Sequence, residues 1–450
     1  MRKIIAQIRQ RFSARSRNVC YVIIALLVLW VGVTKELEFL ERVSKTRLFF
    51  HKGYVLDTPG CRIPDYDPLH WTVRAYYHNR SGLWKRLCDE SGSLVTFTNR
   101  STPVLNERVL EWKKATAEDI TCAYAEVLRN MRNPSPDNAT VFGPWRELKF
   151  GRPLRGAEYI VVRCNKIGAG QIFERYAFLP RRKSGVPVLD ARARRRRLNV
   201  LVLGMDSVSR ISTVRHMPLT RRFLMQELNA FEFVGYNKVG FASFHNQIPL
   251  LTGIPSYIVH GLFSEMFFDS LPHLMSVYRK RGYRTLFLEE YTACGLFTYY
   301  QRLGFKKPPT DYYPRAIMQK FIRRPTCSVL RYVQDLLSFD DQLLFAYLWL
   351  TDLVHEDFNG AGTLDAPLVS LLRNLSSSGV LKRTALVLIS DHGMRFGRSR
   401  RTEMGRIEDR TPTFFLALPE HFLKKHPEAA VHLQDTKSRK FAMVNNTANC

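Results

Sequence analysis

Residues from Leu198 onward predict an α/β fold, a three-layer sandwich around a mostly parallel central sheet. Short continuous apolar runs recur there, and helical patterns such as Pro218–Leu228 and Pro272–Gly282 lie between them. Strands that alternate with helices form parallel sheets covered on both faces, and such strands read as unbroken hydrophobic runs. The runs also end alike, at polar residues able to do chemistry. Open α/β sheets gather their ligands at the carboxyl ends of their strands.

Taken in order, Asn199–Met205 ends at Asp206, and Phe231–Val239 leads into Phe241, Ala242 and Ser243. Arg284–Leu288 ends at Glu289 and Glu290. Leu344–Leu350 ends at Thr351 and Asp352, with His355 just beyond. Thr384–Ile389 ends at Ser390, Asp391, His392 and Gly393, and Thr413–Leu418 ends at Pro419. Gly393 lets the backbone turn sharply after the strand. An Asp beside a His offers one oxygen and one nitrogen ligand to a divalent ion. Alone, such a pair is equally a capping Asp next to a satisfied His; the four other strand ends with candidate groups weigh toward chemistry. There is no Gly-rich phosphate loop and no internal repeat.

The 450 residues suffice for two or three domains, and 45 % hydrophobic residues exclude a disordered chain. A net charge of +28, from 68 Lys+Arg against 40 Asp+Glu, favours anionic partners. Residues 1–18 carry Arg2, Lys3, Arg9, Arg11, Arg15 and Arg17 and no acid, and 19–33 are uncharged. This reads as a basic cytoplasmic tail followed by an uncleaved signal anchor, because no small-residue cleavage site follows. The expectation is a single-pass type II membrane protein of the secretory pathway, in the Golgi or ER lumen, with an extracellular or secreted form as the alternative. That address argues against nucleic acid as the anionic partner. N-x-Ser/Thr acceptors at Asn79, Asn99, Asn138, Asn374 and Asn445 agree with it.

After the anchor, 34–60 reads as a stem and 61–180 as a small, mostly β accessory domain stapled by disulfides. Cys61, Cys88, Cys122 and Cys164 lie in this part, and Cys294 and Cys327 further on. The expectation is two bridges in the first part and one in the second. Residues 181–197 form a basic linker ending in four consecutive arginines, Arg194 to Arg197. A solvated charge run, a processing site and an anion-binding strip all fit it. The candidate catalytic domain is 198–450.

Together the strand ends supply Asp206, Ser243, Asp352, His355, Asp391 and His392: ligands for one or two divalent ions, zinc first among them, and a hydroxyl nucleophile. Ser243 precedes a helix-like stretch, and a helix N-terminus favours anions. A metal would steady an attacking oxyanion, which suits phosphoryl or sulfuryl transfer. Lys238, Arg210 and Arg395 could clamp an anion, with surface solvation the plainer reading. Glu289 and Glu290 could serve the site or form caps and salt bridges. Glu408 and Arg410 read as a structural ion pair.

The phrases GMDSVSR, NKVG, PLLTG, GYRTLFLEE, PTDYY, SDHGMRFG and EDRTP, with CRIPDYDP near the start, resemble the family called domain of unknown function 229. That family is a branch of the alkaline phosphatase and sulfatase superfamily, and the resemblance covers nearly everything after the anchor. It implies an alkaline phosphatase-like catalytic domain. It further implies Asp206, Asp391 and His392 as metal ligands, with Asp352 a less regular one, and Ser243 as nucleophile and ligand. His355 would stand beside the leaving group or hold a second ion. The family pattern has an acid, an Asn and a Thr where this chain has Phe241, Ala242 and Ser243, and a Pro where it has His245. The expected function is a membrane-anchored, metal-dependent hydrolase or transferase acting on phosphate esters or phosphodiesters. Its substrate would be anionic, a phosphorylated or sulfated glycan or a lipid headgroup. The alternatives are a sulfatase and a catalytically inactive binder of acidic glycans. Superfamily sulfatases convert a Cys or Ser to formylglycine where Pro follows at two residues and Arg at four; Ser243 is followed there by His245 and Gln247.

Overall fold

The computed structural model describes residues 50–58, 61–89, 91–183, 196–263, 265–321, 325–339, 342–437 and 440–442. The anchor at 19–33, Asn445, Cys450 and most of the basic linker lie outside the described residues. No described helix is long and apolar enough to cross a membrane. The described residues fall into two compact units, one with 50–55 and 63–67, the other with 56–58, 61–62 and those from 68 onward.

The second unit is centred on a six-stranded sheet. The strands are β1 (Asn199–Met205), β2 (Phe231–Glu232), β3 (Arg284–Glu289), β4 (Leu344–Leu350), β5 (Thr384–Ser390) and β6 (Phe414–Ala417). They lie in the order β2-β6-β5-β1-β4-β3. The four strands β5-β1-β4-β3 pair in parallel. Strand β6 runs antiparallel to β5, and β2 antiparallel to β6. The sheet is therefore mixed rather than mostly parallel throughout. The cause is local: Ile389 pairs with Phe414, so the chain from 391 to 413 leaves and rejoins the sheet at one end, without crossing a face.

The four parallel strands bury both faces, and their alternation sorts the core into two chemistries. Leu344, Ala346, Leu348 and Leu350 join Leu201, Leu203, Leu286, Leu288, Leu386 and Leu388 in an aliphatic core. Phe345, Tyr347, Trp349 and Phe287 point the other way, into an aromatic one. Helix α1 (Arg210–His216) follows β1; helices α3 (Thr326–Leu337) and α4 (Gly360–Ser377) supply the first core, and α2 (Ser243–Thr252) the second. Gly204 is needed for the aromatic face, since a Cβ there would lie 1.7 Å from the Trp349 ring.

The β-rich segment before the linker forms an antiparallel sheet built on Ile120–Arg129, Tyr159–Lys166 and Gly170–Phe178. It has its own core around Ile160, Val162 and Leu179. Its other face packs Ala125, Val127 and Val161 on Ala316 and Ile317. The described disulfides are Cys122–Cys164, joining opposed strand residues, and Cys88–Cys327. The second overturns the expectation of bridges confined to each part, and Cys294 is free. Cys88 and Cys327 lie in the same compact unit, so a bridge can span 239 positions.

Candidate active site

Strand register brings the first groups together. Met205 pairs with Ser390 on one side and Leu350 on the other. Asp206 and Asp391, each one residue further, therefore emerge side by side. Asp206 N donates to Leu350 O at 2.9 Å, which keeps the turn close to β4. The next residue, Ser207, has φ 61°, a left-handed conformation that costs a non-glycine residue on the order of 1 kcal/mol. That turn aims its Oγ at Asp206 Oδ1 (2.9 Å) and its N at Asp391 Oδ1 (3.4 Å).

His392 is fully buried and its tautomer follows from its neighbours. Nδ1 lies 2.9 Å from Gly393 O, an acceptor only, so Nδ1 carries the proton. Nε2 then presents a lone pair 3.5 Å from Asp391 Oδ2 and 3.7 Å from Asp206 Oδ1. Ser390 Oγ fixes this turn by donating to His392 O at 2.9 Å and accepting from Val208 N at 3.0 Å. Gly393 is required by close approach rather than by a special φ, because a Cβ would lie 2.0 Å from Glu408 O. Glu408 itself pairs with Arg215 at 2.8 Å, not with Arg410.

Ser243 is the first residue of α2, and no side chain caps the helix from Ala242. Its Oγ lies 3.3 Å from Asp206 Oδ2 and 3.3 Å from His392 Nε2. Asn246 shapes the approach to it. Its Oδ1 accepts from Val239 N (2.9 Å) and Gly240 N (2.8 Å), and its Nδ2 donates to Gly240 O and Ala242 O, both at 3.1 Å. Gln247 reaches the other way: Nε2 donates to Asp391 Oδ2 at 3.4 Å, and Oε1 accepts from Tyr347 OH at 2.9 Å. Sequence reasoning missed both. They lie three and four residues after Ser243, on the same helix face, and that spacing was the available signal.

Asp206, Asp391 and His392 place ligand atoms within 4.8 Å of one another, the one such group found among the described residues. Two buried carboxylates facing an imidazole lone pair repel, and burial followed by the charge of Asp391 pushes the Asp206 carboxyl up to about 7. A divalent cation would relieve that repulsion, and one nitrogen and two carboxylates suit it. The trio fits a divalent metal. Asp352 lies outside this cluster, its backbone N donating to Glu290 Oε2 at 3.1 Å. His355 also lies outside it, with its ring centroid 5.0 Å from that of Phe396.

The other basic and acidic candidates separate. Lys238 is bound to Asp409 at 2.6 Å, and Arg210 is buried. Glu290 accepts from Thr326 Oγ1, Thr351 N and Asp352 N, and Glu289 pairs with Arg315 at 3.4 Å; both brace the strand ends. Arg395 is half-buried, and Nη1 donates to Phe241 O at 3.4 Å.

No curated protein matches the chain. Solved structures similar to it include the zinc complex of the C-terminal periplasmic domain of EcEptC from Escherichia coli, at 16 % identity and a TM-score of 0.40, over 55 % of this chain and 79 % of that one. A protein in the alkaline phosphatase superfamily from Vibrio parahaemolyticus aligns at 14 % identity and a TM-score of 0.38, over 50 % and 60 %. The lipoteichoic acid synthase LtaP from Listeria monocytogenes aligns at 13 % and 0.36, over 52 % and 70 %. The sequence itself decides the family: the model described as "Protein of unknown function (DUF229)" matches residues 83–442, and the chain belongs to that family.

Proposed function

We propose that this chain is a metal-dependent hydrolase or transferase of phosphate esters or phosphodiesters, with Ser243 as nucleophile. The observation that carries the reading is the Ser243 hydroxyl, 3.3 Å from both Asp206 Oδ2 and His392 Nε2. Asp206, Asp391 and His392 would hold the ion, with zinc the first candidate. When bound, such an ion supplies charge neutralisation and a lowered hydroxyl pKa. Ser243 Oγ attacks phosphorus, the ester oxygen leaves, and water or an acceptor alcohol then releases the phosphoryl group from Ser243. The N-terminus of α2 favours the anion beside Ser243. Asn246 and Gln247 hold nucleophile and carboxylate in register, so that positioning supplies much of the rate. His355 would stand beside the leaving group or hold a second ion.

In the same reading, residues 19–33 anchor the chain in a secretory membrane with the catalytic part in the lumen or outside the cell, facing a phosphorylated glycan or lipid headgroup. The test is metal analysis of the full chain, purified from secretory cells, with turnover of p-nitrophenyl phosphate, bis-p-nitrophenyl phosphate and p-nitrophenyl sulfate. Phosphate-ester turnover with bound metal is expected. Sulfate-ester turnover, with an aldehyde at Ser243 by mass spectrometry, would replace this reading with a sulfatase.

A further inference from the structure

The loop before Ser243 and the loop after His392 meet at one side chain. Arg395 Cζ lies 5.4 Å from the centroid of Phe241 and 5.0 Å from that of Phe396. Its guanidinium is thus flanked by two rings, an arrangement that fixes its plane. Nη1 is tied to the Phe241 carbonyl at 3.4 Å. Nε is buried and has no hydrogen-bond partner. A buried guanidinium N–H without an acceptor is rare and unfavourable in a finished fold.

The neighbouring cations are occupied. Lys238 and Arg400 share Asp409 at 2.6 and 2.8 Å, and Arg215 holds Glu408 at 2.8 Å. Arg395 makes no ion pair among the described residues. It stands three residues after His392, and the carbonyl it binds belongs to Phe241, two residues before Ser243. A guanidinium oriented by two rings and free of any carboxylate among the described residues can match the two oxygens of a phosphoryl group.

We propose that Arg395, held flat by Phe241 and Phe396, is the anion clamp that grips the non-bridging oxygens of a phosphate ester presented to Ser243. This rests on the phosphate-ester reading above. It also accounts for Phe241, because where the family pattern carries an acid, this chain places a ring against Arg395. Phe241 is 73 % exposed, so its outer face is open to the organic group of the ester.

The test uses the full-length chain with its metal bound and three proteins: wild type, Arg395→Ala and Arg395→Lys. Inorganic phosphate binding is measured by calorimetry, with metal content and melting temperature alongside. Both variants are expected to keep the metal and to bind phosphate about tenfold or more weakly, because a lysine point charge cannot reproduce the two-toothed grip. With bis-p-nitrophenyl phosphate the loss is expected mainly in KM, and added guanidinium should restore part of it in Arg395→Ala but not in Arg395→Lys. If Arg395→Ala does not fold, Arg395→Lys, which keeps charge and bulk, carries the comparison. Phosphate affinity within twofold of wild type in the folded variants would overturn the clamp, as would a metal-loaded wild type that binds no phosphate. Turnover of neither ester by wild type sinks the phosphate-ester reading instead, and phosphate binding still decides Arg395.

Discussion

Asp206 and Asp391 end neighbouring parallel strands one residue beyond the Met205–Ser390 pair, and both face Nε2 of His392. The strand register thereby gathers two buried carboxylates and a lone pair, where solvent screens their repulsion little. Asp391→Ala should lose most of the bound metal, since removing an anionic ligand from a three-ligand set is costly. Metal analysis of the folded variant checks this; full occupancy would mean the ion sits elsewhere.

Gln247 is the positioning residue whose loss should be felt at the metal without touching it. Gln247→Leu leaves Asp391 Oδ2 and Tyr347 OH each short of a partner. Metal affinity is expected to fall by about 10- to 100-fold, the usual consequence of removing a support for a ligand. A chelator competition titration measures it, and unchanged affinity would show that Asp391 needs no such support.

Two buried histidines make stability depend on pH. Burial, then the charge of Arg215, lowers the His216 imidazole to about 3, and burial lowers His273 to about 4. Both serve as acceptors, His216 Nε2 from Arg215 Nε at 3.0 Å and His273 Nδ1 from Ser276 N at 3.1 Å. Their folded pKa values lie below the unfolded value of 6.5. The unfolded chain therefore binds more protons, and their contribution is fully present above pH 6.5. It is lost as pH falls from there toward 3 or 4, by on the order of 1 kcal/mol per pH unit for each residue. His216→Gln keeps an acceptor for Arg215 and should flatten this decline. Urea midpoints of wild type and variant at pH 7 and pH 5 give the difference free of other titrations. Parallel declines would refute it.

Asn79, Asn99, Asn138 and Asn374 are all exposed. In secretory-cell expression at least one should carry a glycan, seen as a mobility shift on endoglycosidase treatment. No shift would count against a lumenal address.

The strand ends were legible because buried parallel strands are unbroken apolar runs; β1 and β4 match the sequence expectation at both ends. The edge of the sheet was not. The run at 231–239 breaks into Phe231–Glu232 and Gly235–Asn237, and pairing direction depends on where a connection returns, which composition does not encode. Within the site, Asp206, Ser243, Asp391 and His392 stood out by type and place. Ser207, Asn246 and Gln247 did not, because amides and hydroxyls gain meaning only from the atoms they face. Arg395 stood out only as one of three possible anion clamps, with Lys238 and Arg210, because the abundance of basic residues made surface solvation the plainer reading. The Cys88–Cys327 bridge was hidden because packing, rather than sequence spacing, brings those thiols together.

In the proposed reaction Ser243 attacks a phosphate ester beside the trio of Asp206, Asp391 and His392. The most direct measurement is p-nitrophenol release from bis-p-nitrophenyl phosphate by wild type and Ser243→Ala, each with its metal content determined. The account predicts turnover by wild type and a loss of about a thousandfold or more in Ser243→Ala with the metal retained. Equal turnover by a metal-loaded Ser243→Ala chain would contradict it.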